Sequence, residues 1–162
     1  MARIKIRPAA SADAQGILES HYSAVHETAR RDYPDEILDA WSTPVTPERI
    51  RAYLENALPR ETTVVAEVEG RVVGFGSIVE SSNELRAVYI SDTFRRKGVG
   101  SALLQELENL AKERGCKELT LDSSLTAERF YLQHGYTEMG RGDHKLSSGH
   151  QMACVRMRKI LD

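Results

Sequence analysis

Apolar residues recur along this 162-residue chain with two periods, and the switches between them outline its elements. Ile4-Lys5-Ile6-Arg7 alternates and predicts a first strand, ended by Pro8. Ser11 is expected to cap a helix over residues 11–30, and the acidic, proline-containing stretch 32–36 breaks it. A short helix through Ile37, Leu38 and Trp41 follows. Thr46-Pro47-Glu48 offers a capping hydroxyl, a proline at the first helical position and an acid in the first turn, so another helix starts there. Ile50, Tyr53, Leu54 and Leu58 form its apolar face, and Pro59 is expected to stop it. Residues 62–68 and 71–79 read as a hairpin turning at Glu69-Gly70, and 84–90 as the next strand. Val99, Leu103, Leu104, Leu107, Leu110 and Ala111 share one face of a helix over 98–114, closed by Gly115. A strand over 117–122, a short helix over 126–134, and strands over 136–139 and 151–159 complete the string. The polar stretch 140–149 reads as an excursion with no assigned role.

This order predicts the α/β class, with a mixed sheet flanked by helices in a single domain, residues 1–162. With 24 acidic and 22 basic residues the net charge is −2, which implies no global attraction to nucleic acid or to an anionic membrane. No apolar run has the length of a membrane span, and the N-terminus lacks a signal-peptide core. Cys116 and Cys154, without CxxC spacing, suit two reduced thiols in a cytoplasmic protein. His144, His150 and Cys154 lack metal-ligand spacing, so no metal is expected, and His21 and His26 read as packing or surface groups.

One local cluster of positive charge changes the picture. Arg95-Arg96-Lys97-Gly98-Val99-Gly100-Ser101 lies where a strand turns into a helix. A helix start offers unpaired N–H groups and the positive end of the macrodipole, and glycine lets a bulky anion approach the backbone. The turn therefore reads as a phosphate or pyrophosphate site. A Walker loop is absent, and Leu103 stands where the dinucleotide fingerprint needs its third glycine, which disfavours a nucleotide-binding oxidoreductase.

The pattern that remains is [RQ]-x-x-G-x-[GA], matched by Arg95, Gly98 and Gly100. Here the chain resembles the GNAT family of acyl-coenzyme A-dependent acetyltransferases. Val73-Gly74-Phe75-Gly76 lies in what looks like the family's third strand, and 84–90 and 117–122 look like its fourth and fifth. Ala127-x-x-x-Tyr131-x-x-x-Gly135-Tyr136 is similar to its closing segment, so the resemblance covers about residues 62–140.

The resemblance implies a mixed sheet of about six to seven strands and an N-acetyltransferase. Acetyl would pass from acetyl-CoA to a primary amine by direct attack in a ternary complex. Backbone groups of Val88, Tyr89 and Ile90 would pair with the pantetheine arm, and the Ile90 N–H would stabilise the oxyanion. Arg95, Arg96, Lys97, Gly98, Val99, Gly100 and Ser101 would hold the pyrophosphate. Ser124 stands where the family often has a cofactor-contacting asparagine. Tyr131 would protonate the departing thiolate, as a phenol near pKa ~10 can for a thiol near ~8.5. Glu84 is either a base acting through water or a solvated strand end. A non-catalytic acyl-CoA-binding regulatory module is the alternative, and it would release no coenzyme A. The expected acceptor is a small-molecule amine, with peptide or protein amines and a homodimer left open. The acidic segment 32–39 beside Trp41 is expected to draw a cationic amine.

Overall fold

The computed structural model describes residues 3–162. Its strands are β1 (Ile4–Pro8), β2 (Thr62–Val68), β3 (Arg71–Val79), β4 (Glu84–Ile90), β5 (Glu118–Ser124), β6 (Thr137–Lys145) and β7 (Gln151–Ile160). They form one seven-stranded sheet in the order β1-β2-β3-β4-β5-β7-β6. Every neighbouring pair is antiparallel except β4 and β5, which run parallel and meet through a single residue pair, Glu84 and Thr120. Beyond that pair the ladder stops, so the middle of the sheet opens.

The helices are α1 (Ala14–Ser23), α2 (Asp35–Trp41), α3 (Pro47–Ala52), α4 (Leu58–Arg60), α5 (Val99–Glu113) and α6 (Glu128–Gln133). The first is preceded by a 3-10 turn and continued by a π turn and another 3-10 turn, so the expected helix is one irregular helical run over 11–31. Its N-cap is Ala10, not Ser11, because the Asp13 carboxylate accepts from the Ala10 N–H at 2.7 Å. Thr46 caps α3 as expected, its hydroxyl accepting from the Arg49 N–H. Pro59 does not stop the chain there. A π turn over Tyr53–Ala57 widens the helix just ahead of it, and the proline is taken into α4.

The apolar stripe of α5 lies on one sheet face. Val99, Leu103, Leu104, Leu107 and Ala111 are all buried there against Val64, Ile78, Leu85, Leu119 and Val155. On α1, Ile17 packs with Val65 and Phe75. A separate cluster joins Val25, Ala29, Tyr33 and Leu38 to Leu146 and Met152, so the β6–β7 hairpin is packed onto the N-terminal helices. The Tyr33 hydroxyl strengthens this join: it donates to Ala153 O at 2.6 Å and accepts from the Leu125 N–H at 2.8 Å. Strand β6 continues to Lys145 instead of ending at Met139. It is the sheet's edge and is largely exposed, so burial imposes no apolar alternation on it. Among the described residues no helix is long and apolar enough to cross a membrane.

Candidate active site

The opening between β4 and β5 is flanked by a cavity of about 400 Å³, bounded by β4, the start of α5 and α6. The Arg95 turn forms one end. Gly98 is the N-cap of α5 with φ +85°, and Arg96 also takes a positive φ of 58°. No side chain caps this helix, and its first internal bond runs from the Ala102 N–H to Gly98 O. The N–H groups of Val99, Gly100 and Ser101 therefore have no acceptor within the helix. Such a terminus, with Arg95 and Arg96 on the same wall, fits a pyrophosphate.

The residues of this turn divide by role. Arg95 lies 3.5 Å from Asp92, which also accepts from the Thr28 hydroxyl. Lys97 is over the Phe94 ring, and the Val99 side chain is buried in the core, so neither lines the cavity. Ser101 Oγ donates to His134 Nε2 at 2.9 Å, while His134 Nδ1–H donates to Phe130 O at 2.7 Å. Gly100 serves packing: a Cβ there would lie 3.1 Å from the Phe130 ring and 3.2 Å from Ile90.

Strand β4 supplies the second wall. The Ser91 N–H donates to Val73 O, which sets the phase of the β3–β4 ladder. Antiparallel alternation then turns the backbone groups of Val88 and Ile90 towards the gap and those of Tyr89 back to β3. The Tyr89 backbone is thus not free to pair with a ligand, contrary to expectation. Tyr89 contributes its side chain instead. Across the cavity Tyr131 is 5% exposed, and its hydroxyl has no hydrogen-bond partner among the described residues. Burial, with Tyr89 nearby, pushes the phenol above its ordinary range, so it stays protonated and able to donate.

A second cavity, of about 340 Å³, lies among β4, β5, β6 and β7 and shares Trp41, Tyr89 and Ser124 with the first. It holds Glu84, Arg86, Asp122, His144 and Cys154. Both Glu84 oxygens accept from Arg86, at 2.7 and 3.3 Å. Ser124 Oγ accepts from the Ala127 N–H, which ties the end of β5 to α6.

The comparisons with known proteins agree with this geometry. Residues 29–161 match the family model described as the acetyltransferase (GNAT) domain. The chain belongs to the GNAT acetyltransferase family. It is 29% identical over 136 residues, 84% of this chain and 83% of the relative, to the uncharacterized N-acetyltransferase YafP of Escherichia coli K12. It is 31% identical over 107 residues, 57% of this chain and 70% of the relative, to an aminoglycoside N(6')-acetyltransferase type 1 of Klebsiella aerogenes. A GCN5-related N-acetyltransferase from Rhodopseudomonas palustris superposes with a TM-score of 0.88 at 27% identity, covering 99% of this chain and 98% of that one. The PaiA N-acetyltransferase of Thermoplasma acidophilum, solved with coenzyme A, has the same fold with a TM-score of 0.75 at 21% identity, covering 98% and 99%. The chain is an acetyl-CoA-dependent N-acetyltransferase.

Within this GNAT fold the acidic segment does not face either cavity. Asp32 accepts from the Thr126 hydroxyl at 2.7 Å, and Glu36 pairs with His150 at 3.0 Å. These carboxylates hold the N-terminal helices to the turn before α6 and to the β6–β7 hairpin, and only Trp41 turns inward. His21 bonds Ser42 Oγ and lies 4.5 Å edge-on from Tyr89, so its packing role stands. Phe130 and His134 also line the cavity, and their only signal in the sequence is the helical i, i+4 spacing that runs beside Tyr131. No sequence signal joins Asp122 to His144, because β7 lies between their strands. The described residues contain no group of three or more His, Cys, Asp or Glu that could hold a metal.

Proposed function

We propose that the protein acetylates a small-molecule primary amine, with donor and acceptor entering from the two cavities. The observation that carries this is the single residue pair joining β4 to β5. It leaves an opening between a cavity with a phosphate-type helix start and one lined by carboxylates, and both share Tyr89, Ser124 and Trp41.

Acetyl-CoA supplies an acetyl group activated as a thioester. The N–H groups of Gly98, Val99, Gly100 and Ser101, with Arg95 and Arg96 on the cavity wall and the Lys97 charge just outside it, would bind its pyrophosphate. Val88 and Ile90 would pair with its pantetheine amides as an added strand, and Ser124 would line the arm. The Ile90 N–H is turned to the gap, where it can stabilise negative charge on the thioester oxygen. Tyr131 gives its proton to sulfur. Glu84 lies in the acceptor cavity with both its oxygens held by Arg86, which favours a positioning role there over that of the base. The domain spans residues 1–162, of which 1 and 2 lie outside the described residues. Two free, buried cysteines support a cytoplasmic setting.

The kinship with an aminoglycoside acetyltransferase supports a small amine over a protein one. A panel running from ethanolamine through spermidine to kanamycin A, with a lysine-containing peptide alongside, tests this by release of free thiol from acetyl-CoA. Turnover of the small amines above the peptide is expected. A peptide that outcompetes all of them overturns the small-molecule reading. Binding of acetyl-CoA without thiol release for any amine returns the non-catalytic module.

A further inference from the structure

The β6–β7 hairpin carries a histidine into the acceptor cavity that no step above uses. His144 Nδ1 lies 3.0 Å from Asp122 Oδ2, and both side chains line that cavity. A carboxylate only accepts, so Nδ1 carries the hydrogen and the Nε2 lone pair is left to take a proton. Glu84 differs: both its oxygens already accept from Arg86.

We propose that His144 is the catalytic base that deprotonates the acceptor ammonium, with Asp122 as its positioning residue. The proposal rests on the second cavity's being the acceptor site. A protonated nitrogen has no lone pair with which to attack a thioester, so one N–H bond must break first. That proton goes to Nε2, and the charge moves onto an imidazolium that faces Asp122. The ring is 48% exposed, so it passes the proton on to water. When the nitrogen bonds to the acyl carbon and the carbon–sulfur bond breaks, a second N–H proton is lost. It replaces the one that Tyr131 delivers to sulfur.

The charged and titratable groups around His144 are Asp122 on β5, Glu84, Arg86 and the Tyr89 phenol on β4, and Cys154 and Arg156 on β7. Glu84 is paired with Arg86, and Asp122 has Arg156 at 3.9 Å, so the imidazolium forms in a nearly balanced field. A carboxylate that fixes the ring's tautomer while the other nitrogen moves protons is a known catalytic arrangement. Here the pairing across β5, β7 and β6 builds it.

The test uses the intact enzyme and the panel amine with the highest kcat/KM. In wild type, kcat/KM should rise with pH as the base gives up its proton. His144→Gln should lose that rising limb and about 10²–10⁴-fold in kcat, with acetyl-CoA affinity unchanged by calorimetry. Asp122→Asn should lower kcat at unchanged amine KM. In the same variant, long-range 1H–15N spectra should show His144 leaving the Nδ1–H tautomer, a readout independent of activity. Glu84→Gln should keep the rising limb. A wild-type profile in His144→Gln, or loss of the limb in Glu84→Gln, overturns the assignment. His144→Trp, which fills the cavity, separates the two levels. A raised amine KM there with an unaltered His144→Gln overturns the base alone, while an unchanged KM in His144→Trp overturns the acceptor site itself.

Discussion

The proton-donor role proposed for Tyr131 rests on its burial. A phenol enclosed by Phe130, Tyr136 and the β4 wall, with no partner for its hydroxyl among the described residues, holds its proton tightly and can give it only where charge develops nearby. Tyr131→Phe removes that donor without altering the shape of the cavity. Its loss should fall on kcat, by about 10–100-fold, with acetyl-CoA affinity unchanged. Single-turnover kinetics and calorimetry on the same sample check both halves. Equal kcat in a variant whose chemical step is rate-limiting would leave Tyr131 a packing residue.

The start of α5 works as an element. Its unpaired N–H groups converge because Gly98 adopts a left-handed conformation and Gly100 lets the helix close on Phe130 and Ile90. The two glycines act differently, which the sequence pattern alone did not separate. Gly98→Ala meets no neighbouring atom but pays conformational strain of about 1–2 kcal/mol. If the turn shifts to relieve it, acetyl-CoA affinity should fall about 10-fold. Gly100→Val collides with Phe130 and Ile90, so it should weaken binding through displaced side chains and also lower Tm. Titration calorimetry with a parallel thermal melt measures both effects: Gly98→Ala should lower Tm only by its backbone strain, and Gly100→Val should lower it further through the collision with Phe130 and Ile90.

At the scale of the molecule, the N-terminal helices line the first cavity through Ala24, Thr28, Ala29 and Trp41, and His21 packs beside Trp41 and Tyr89. Burial against Tyr89, Trp41 and Phe75, with Arg49 and then His26 close by, pushes its imidazole down from 6.5 to about 3. Between those two values the unfolded chain binds a proton that the folded chain refuses. Stability should therefore fall as pH drops below 6.5 and go on falling towards about 3, a contribution of up to about 2 kcal/mol between pH 7 and pH 5. Urea unfolding at the two pH values, in wild type and His21→Gln, measures it. The variant should lose less stability on acidification than wild type, and equal losses would mean that His21 is open to water in the folded state.

Much of this was legible in the chain. The strand alternation, the α5 stripe, the Thr46 cap and the Arg95 turn are local, set by the side-chain period and by the shape of a helix start, so they survive translation into one dimension. The full length of edge strand β6 is not legible because an exposed strand carries no apolar period, and the helix continues through Pro59 because of a π turn that no propensity rule contains. The phase of the β3–β4 ladder, which frees Val88 and Ile90 but not Tyr89, depends on long-range register. So does the meeting of Asp122 with His144, 22 residues apart and separated in space by β7. The acidic segment looked like a substrate lure because charge is visible in sequence and its partners are not. The apolar period therefore determined most of the elements, the short motifs gave the resemblance to the family, and the residue types at the start of α5 marked it as a candidate anion site. Strand order and register decided which groups face the opening, because a sheet joins residues by pairing across strands and not by proximity along the chain.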